Sequence, residues 1–510
     1  MPQELLSPDI VRGRPGRLEL ILAALVAGVA VALPLLASLL TLELLAALIA
    51  ILGVFAVLVY RHRPLICLAA LAITAWCSRT VLDLLGANIR VEQPAVVILS
   101  AWLLWRYRAL VFQLVRRYLV AIAGLAVWLT AMFISSWIFA PNPGASLRIE
   151  AWLCVSILSA GVAAVLAMRL RSDQDAGSVF IVAALVQVGI ALFALVTGRF
   201  LGLAWGGYLL QGESGLFRAF GLVWEPNIFG SAVGIVLPFA IDRYVRVGRR
   251  VDLIAAALLS IGLGMALTRA TWIAVFAGLG CYVFIMALRD RNLVMERIRP
   301  VITSLAVVGI ATLLGFFLTV WGQTPSLGLL AQRSTGGSTV QVPALATGVA
   351  VPSPIISTAT SRPTSSSPPI AVDLGSSENL TYRAERLTQA LRDVLSSPII
   401  GLGANSYGQR HLDKSQPPQP DYLSTFPVTI LYEAGLVGAA GFGIFVVVLV
   451  MTVWRSPNRQ LAAPYLAAMV VMALAYASTD ALRFSQNWLI FGAALGLSCR
   501  PLLSREGDSG

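Results

Sequence analysis

The sequence is poor in charge and almost lacks lysine and histidine. Of its 510 residues, 12% are charged and 58% are hydrophobic, and the two histidines are His62 and His411. The five cysteines form no CxxC pair, so we expect them to be small buried side chains. With so little histidine and no paired cysteine, the sequence predicts no metal centre. It also has no P-loop and no glycine-rich nucleotide fingerprint, so no cofactor is expected.

Long apolar runs fill most of the chain instead. The mean hydropathy is +0.81, and apolar runs of about 18–25 residues recur, which is the length that crosses a bilayer as a helix. Helices are required because lipid offers no hydrogen-bond partner to an exposed backbone group. We therefore expect an all-α, polytopic integral membrane protein with about 12–14 transmembrane helices and the lipid bilayer as a partner.

The basic residues predict how these helices are oriented. The net charge of +12 is carried almost entirely by arginine, and it is concentrated in short connections such as 61–63, 106–117 and 289–299. Because basic connections stay in the cytoplasm, we expect both termini there and the long hydrophilic loop outside. Because membrane orientation accounts for the positive net charge, the charge does not indicate nucleic-acid binding. Nucleic acid is not expected as a partner.

The chain divides into five parts on this basis. Residues 1–321 are predicted to form the N-terminal transmembrane helices, 426–500 the C-terminal ones and 501–510 a cytoplasmic tail. Residues 322–377, rich in Ser, Thr and Pro, are predicted to be a disordered part of the outer loop. Residues 378–425 are predicted to be its amphipathic helical part, because apolar residues recur there at helical spacing between charges.

Two arginines on the predicted outer side have little loop around them. Arg269 lies between two apolar runs, and Arg218 lies shortly before a helix start at Pro226. A guanidinium at the membrane edge is costly unless it has an anionic partner, which is either a structural carboxylate or a ligand. Its planar fork suits phosphate, so a lipid-linked diphosphate is one candidate. The alternative is that these arginines only reach the phosphates of ordinary lipids.

Three side chains are candidate general bases. Glu225 precedes Pro226 at a predicted helix start, where a carboxylate also favours the helix dipole. Glu433 lies inside an apolar run and must be paired or face a cavity. His411, in the outer loop, has the basicity of a proton acceptor near neutral pH, although a loop histidine is often only solvated.

Four segments resemble short motifs of the O-antigen ligase and polymerase superfamily of bacterial membrane glycosyltransferases. They occur in the order typical of that superfamily, around one large outer loop. They are Arg218-Ala219-Phe220-Gly221 leading into Pro226-Asn227-Ile228-Phe229-Gly230, Leu267-Thr268-Arg269-Ala270-Thr271-Trp272, Arg383 followed by Ser397-Pro398-Ile399-Ile400-Gly401-Leu402-Gly403, and Glu433-Ala434-Gly435-Leu436-Val437-Gly438.

The resemblance implies a metal-independent glycosyltransferase that ligates or polymerises oligosaccharides at the outer face of the bacterial cytoplasmic (inner) membrane. The implied donor is a glycan on a polyprenyl diphosphate such as undecaprenyl diphosphate, and the implied acceptor is a glycan or glycolipid. The implied residues for the donor diphosphate are Arg218, Arg269 and Asn227. The candidate catalytic residues are Arg218, Arg269, Arg383, His411 and Glu433.

One position departs from the pattern of the ligases. They commonly carry a His-Asn pair at the start of the span that holds the matching glutamate, whereas this chain has Ser424-Thr425. The histidine taken to activate the acceptor is therefore missing, which favours polymerase-like or divergent members. His411 could supply the base from a different place in the loop.

Two other functions stay open. A transporter or flippase of an anionic or lipid-linked solute would have polar or broken helices that meet near the middle of the membrane. A scaffold that recruits partners through its Ser/Thr/Pro-rich loop would leave Arg269 without a ligand. The charges gather at the outer rim of the predicted helices, which favours chemistry at that rim.

Overall fold

The structure, a computed structural model, describes most of the chain from residue 64 onwards. The described residues are 64–76, 81–84, 87–90, 92–170, 172–201, 208–211, 216–223, 225–289, 295–320, 376–411, 423 and 425–507. The first two predicted spans, nearly all of the predicted disordered segment and residues 412–422 lie outside them.

Helices make up almost all of the described residues, and they are joined by short connections. In chain order they are α1 (Pro64–Trp76), α2 (Glu92–Arg106), α3 (Arg108–Arg117), α4 (Leu119–Phe139), α5 (Pro143–Met168), α6 (Asp173–Leu201), α7 (Pro226–Gly234), α8 (Leu237–Val247), α9 (Arg250–Met265), α10 (Arg269–Arg289), α11 (Ile298–Val320), α12 (Ser376–Val394), α13 (Ser406–His411), α14 (Phe426–Trp454), α15 (Arg459–Tyr476) and α16 (Ser485–Gly507).

The all-α membrane architecture is confirmed. Among the described residues, seven helices are long and apolar enough to cross a membrane, or eight if the bent pair α2 and α3 is one span. The number of spans expected for the whole chain stays a prediction, because its first part is not described. The tail predicted at 501–510 is helical for most of its length, since α16 continues to Gly507.

Two local features differ from the sequence prediction. Residues 106–117, expected to be a short connection, include the helix α3, which meets α2 at a bend of 101°. Two antiparallel hairpins were not predicted, because strands of four residues do not show against an apolar background. The paired strands are β1 (Val81–Leu84) with β2 (Ala87–Arg90), and β3 (Tyr208–Gln211) with β4 (Leu216–Ala219).

Glycines let several helix pairs approach to backbone contact. A Cβ added at Gly264 of α9 would lie 2.1 Å from the Thr312 carbonyl oxygen of α11, and one at Gly492 of α16 would lie 2.0 Å from the Ala160 carbonyl oxygen of α5. Lipid tails are as apolar as the helices, so close packing of small residues rather than the hydrophobic effect holds membrane helices together.

The connections collect at two ends of the bundle. The end that we name the loop end comprises the turns at 140–142, 266–268 and 477–484 together with α13; at this end, Asn142 N–H donates to Gln409 Oε1 over 2.9 Å. At the opposite end, the basic end, lie Arg169, Arg243, Arg289 and Arg455. The arginines therefore separate as the orientation argument expects, while the side of the membrane that each end faces stays a prediction.

Replacing Gly264 with leucine tests this packing. We expect Gly264→Leu to push α9 and α11 apart and to lower the free energy of unfolding by about 3 kcal/mol, the upper range for overpacking a filled interior. The measurement is the thermal unfolding midpoint of the purified protein in detergent. The matched control is Gly280→Leu, because an added Cβ there has nothing within 4 Å; equal midpoints for the two variants would contradict the packing described.

Candidate functional site

Helix α14 is interrupted at Gly435. This glycine has φ 63° and ψ −166°, a backbone conformation that glycine adopts at no steric cost. The part after the break, 435–454, is about 30 Å long, which by itself crosses the hydrocarbon of a bilayer. The part before the break, with Tyr432 and Glu433, therefore lies at the membrane edge, at the loop end.

The segment 398–403, which we name the bridging turn, bonds to both sides of this break. Leu436 N–H donates to the Pro398 carbonyl over 2.9 Å and Val437 N–H to the Ile399 carbonyl over 3.0 Å. In the reverse direction, Leu402 N–H and Gly403 N–H donate to the carbonyls of residues 432 and 433 over 2.7 and 3.1 Å. The bridging turn thus satisfies backbone groups that a broken helix would otherwise leave unpaired, as a low-dielectric site requires.

The glycines of the bridging turn explain how it fits so closely. Gly401 has φ +80°, and a Cβ on it would lie 2.6 Å from backbone atoms of residues 433–435. Gly403 has φ +99°, and a Cβ on it would lie 2.8 Å from the Cα of Ser136 in α4. The glycines of the Ser397 to Gly403 motif are therefore required by backbone conformation and by close contact.

Helix α4 also bonds to the break in α14 and to the chain that follows the bridging turn. Ser135 Oγ donates to the Glu433 carbonyl over 2.6 Å. Ser136 Oγ accepts from Ala404 N–H over 2.8 Å. Both serines are fully buried, so α4, the bridging turn and the break in α14 form one connected unit.

The Glu433 side chain joins three parts of the chain. Its Oε1 accepts from Asn405 N–H over 2.6 Å and from a guanidinium N–H of Arg483. Arg483 lies in the turn 477–484, and its Nε lies 3.3 Å from Asp480 Oδ2. Glu433 therefore satisfies the expectation that a carboxylate in an apolar run is paired, and its partner is structural.

Electrostatics keeps Arg483 charged. Burial disfavours its charged form, but the carboxylates of Glu433 and Asp480 outweigh burial and raise the pKa of the guanidinium above its ordinary value. Burial raises the pKa of Asp480, and Arg483 opposes that shift. The Arg483 carbonyl in turn accepts from Ser156 Oγ over 2.9 Å and from Arg90 Nη2 over 3.2 Å, so the arginine is held from several sides.

Glu150 of α5 is a third acidic side chain at this place. It is 5% exposed, and it interacts electrostatically with Glu433 and Arg483. Neither of its carboxyl oxygens has a hydrogen-bond partner among the described residues. A single guanidinium already faces two carboxylates, so a third ionised one would be costly, and a neutral Glu150 fits the site better.

His411 lies beside the bridging turn in a separate hydrogen-bond network. Its Nε2 contacts Asp393 Oδ2 of α12 at 2.5 Å, and its Nδ1 lies 2.8 Å from Gln389 Nε2. Tyr432 O–H donates to the same Asp393 oxygen over 3.2 Å. The Tyr407 ring lies 4.8 Å from the imidazole, measured between ring centroids.

Arg269 is an exposed cation of the loop end. It is the first residue of α10, is exposed and has no ion-pair partner within the described part of the chain. Its neighbour Thr268 places Oγ1 3.2 Å from Asn227 Oδ1. Thr479 Oγ1 donates to Glu225 Oε1 over 3.2 Å, which connects this group to the turn that holds Arg483.

The structure thus divides the predicted residues into groups. Arg269 and Asn227 lie together, whereas Glu433 pairs with Arg483 and His411 with Asp393. Arg218 lies on β4, in register with Leu209 of β3, and Arg383 lies on α12; the side chains of these two arginines lie outside the described set.

Sequence reasoning missed the ion pair and its surroundings. In the sequence, Arg483 is one of many arginines on the predicted outer side, and Glu150 gives no signal. A charge three residues before Arg483 in a short turn, Asp480, was the clue that could have marked the pair. No three His, Cys, Asp or Glu side chains of the described residues come close enough to hold a metal ion.

Comparison with known proteins adds one family. The Wzy_C family, described as O-antigen ligase, matches residues 254–443. This part of the chain is therefore similar to an O-antigen ligase domain. This domain includes Arg269, Arg383, His411 and Glu433, whereas Arg218, Asn227 and Arg483 lie outside the matched range. No curated protein matches the chain.

The O-antigen ligase domain supports a ligase-type membrane glycosyltransferase in polysaccharide assembly, in a multi-pass protein of the bacterial inner membrane. The bridging turn and the break in α14 both lie inside the matched range, since the match runs from α9 into α14. The superfamily expected from the four motifs is confirmed.

Adding a methyl group at Gly401 tests the bridging turn. We expect Gly401→Ala to release the turn, because the new Cβ meets backbone atoms at 2.6 Å and the φ of +80° is strained for alanine. Hydrogen exchange at the amides of Leu402 and Gly403 should accelerate at least tenfold. Gly443→Ala, with nothing within 4 Å of the added Cβ, is the control; unchanged exchange in Gly401→Ala would show that the turn is not held in this way.

Removing the arginine of the ion pair tests Glu433 as a structural anchor. Arg483→Met leaves a buried carboxylate unpaired, which costs about 3–5 kcal/mol. We expect the double variant Arg483→Met/Glu433→Gln to recover part of that loss, because Glu433 is then neutral and Asp480 is the one carboxylate of the two that still lacks its arginine. Thermal unfolding midpoints of the three proteins decide this; a double variant no more stable than Arg483→Met would contradict the pairing.

Proposed function

We propose that the chain transfers glycans from a polyprenyl-diphosphate carrier to a glycan or glycolipid acceptor at the outer face of the membrane. Three findings support this function: the match to an O-antigen ligase domain, the collection of polar groups at the loop end, and an arginine there that has no ion-pair partner among the described residues. The loop end then faces outward and the basic end faces the cytoplasm, in agreement with the distribution of arginine.

Arg269 is the observation that carries the proposal. It is exposed at the first residue of a long helix, where unpaired backbone N–H groups and the helix dipole add positive potential. A diphosphate bound there meets both the guanidinium and the helix end. Asn227, tied to Thr268 beside it, and Arg218 on the neighbouring hairpin complete the proposed donor site.

The chemistry follows from this placement. The acceptor hydroxyl oxygen forms a bond to the anomeric carbon of the donor glycan, while the bond from that carbon to the diphosphate oxygen breaks. The bonding electrons leave with the diphosphate, so negative charge grows next to Arg269, which stabilises the transition state more than the ground state. Cleavage of the bond between the donor sugar and the diphosphate drives the transfer, the diphosphate itself stays intact on its carrier, and no nucleotide is required.

Transport is the second candidate function, because α14 is a broken helix and broken helices form the solute sites of many transporters. In this chain, however, the bridging turn occupies the break and bonds to the backbone groups on both sides of it. The break is therefore closed to a solute, and the structure favours chemistry at the loop end.

A pair of matched arginine variants tests the donor site. Arg269→Ala should lower kcat/KM for the lipid-linked donor by about 100-fold or more, the range measured when one oxyanion-stabilising donor is removed, and Arg269→Lys should recover only part of it. Arg250→Ala is the control, because Arg250 is also an exposed first residue of a helix but lies at the basic end.

The assay measures acceptor extension by the purified protein in proteoliposomes that contain a polyprenyl-diphosphate oligosaccharide. Equal activity in Arg269→Ala and Arg250→Ala would remove Arg269 from the donor site. If the proteoliposomes took up a solute and no covalent product formed, transport would replace glycosyl transfer as the proposed function.

A further inference from the structure

The proposed transfer needs a proton acceptor, and the ligase histidine is missing at position 424. We propose that His411, oriented by Asp393, is the base that takes the proton from the acceptor hydroxyl. This inference rests on the proposed function and goes beyond it, because it assigns a positioning role to Asp393 and a defined nitrogen of His411 to the chemistry.

The hydrogen-bond partners determine which nitrogen is basic. The Asp393 carboxylate can only accept, so the ring proton of a neutral His411 lies on Nε2. Gln389 Oε1 accepts from Tyr407 O–H over 3.1 Å, which turns the Gln389 amide nitrogen towards His411 Nδ1. Nδ1 therefore carries the lone pair. An aspartate that holds a histidine in the tautomer needed for proton transfer is a common catalytic arrangement.

The pair is open enough to meet a substrate. The side chains of His411 and Asp393 are 24% and 25% exposed, and Gln389, which covers Nδ1, lies on the exposed side of α12. A hydroxyl that displaces the Gln389 amide would present its hydrogen to Nδ1. By contrast, Glu433 Oε1 already accepts two hydrogen bonds, one of them from Arg483, so it is the poorer base.

The location also suits a substitute for the missing histidine. Leu423, next to Ser424, is buried in a small apolar cluster with Tyr407 and Tyr432. Tyr407 lies against the His411 ring, and Tyr432 donates to Asp393. The His411–Asp393 pair therefore sits on the same cluster that receives the chain at position 423, although it comes from a different segment of the loop.

The proton balance is simple. As the acceptor oxygen bonds to the anomeric carbon, its hydrogen passes to Nδ1 and the diphosphate departs with the electron pair of the broken bond. The resulting imidazolium is stabilised by the Asp393 carboxylate and later releases its proton to water. Among the described residues, the groups in contact with the His411–Asp393 pair are Gln389 from α12, Tyr407 from α13 and Tyr432 from α14, and Arg410 acts electrostatically on Tyr432.

Three variants in the transfer assay test this proposal. His411→Gln should lower kcat at least 100-fold with little change in the donor KM, because general-base catalysis contributes about 10²–10⁴-fold. Asp393→Asn should lower kcat and shift the pH–rate profile, because an asparagine amide can donate to Nε2 and favour the wrong tautomer. Thr388→Ala is the control and should keep wild-type kcat, because Thr388 is exposed on α12 and its hydroxyl donates to the Ala384 carbonyl of the same helix.

The outcomes separate this proposal from the proposed function. The role of His411 would be overturned if His411→Gln kept the transfer activity and the pH profile of the wild type. If Arg269→Ala lost the activity in the same assay, the proposed glycosyltransferase function would still stand. Absence of transfer by the wild type would refute the function itself. Melting temperatures of all variants, with His411→Gln expected near the wild type, show that a fall in kcat is not a loss of folded protein.

Discussion

The break in α14 at Gly435 is the constraint on which the rest of the loop end depends. A helix cannot stop at the membrane edge and restart in a new direction without exposing backbone N–H and C=O groups, and such groups need partners. The bridging turn supplies them from another part of the chain. A hydrophilic loop that is far away in sequence is thereby fixed to the transmembrane bundle, and the positions of Asn405, Tyr407 and His411 follow from that attachment.

The same attachment separates two kinds of charged group. Glu433 and Arg483 neutralise each other and hold three segments together, so they serve structure. Arg269 has an exposed guanidinium and His411 is partly exposed beside Asp393, and these are the two groups to which we assign roles in the chemistry. In the proposed reaction, the cation holds the anionic donor and the imidazole takes the proton of the acceptor hydroxyl.

The sequence predicted the parts of this protein that depend on local pattern. Apolar length predicted the helices, and the four motifs predicted the superfamily. What it did not predict depends on distant pairing: the bridging turn that closes the break, the partner of Glu433, and Asp393 beside His411. These contacts join residues from different segments of the chain. The periodicity of apolar residues within one segment does not predict them. The bend between α2 and α3 and the two hairpins were missed because they are shorter than the patterns that reveal them.

The most direct test of the account is the mass balance of one reaction. The purified protein, in liposomes with a polyprenyl-diphosphate glycan and an acceptor, is analysed by mass spectrometry without any nucleotide. The account predicts that each acceptor molecule gains the mass of the donor glycan while one free polyprenyl diphosphate appears for each glycan transferred. An intact donor with an unmodified acceptor, in a protein shown to be folded, would contradict it.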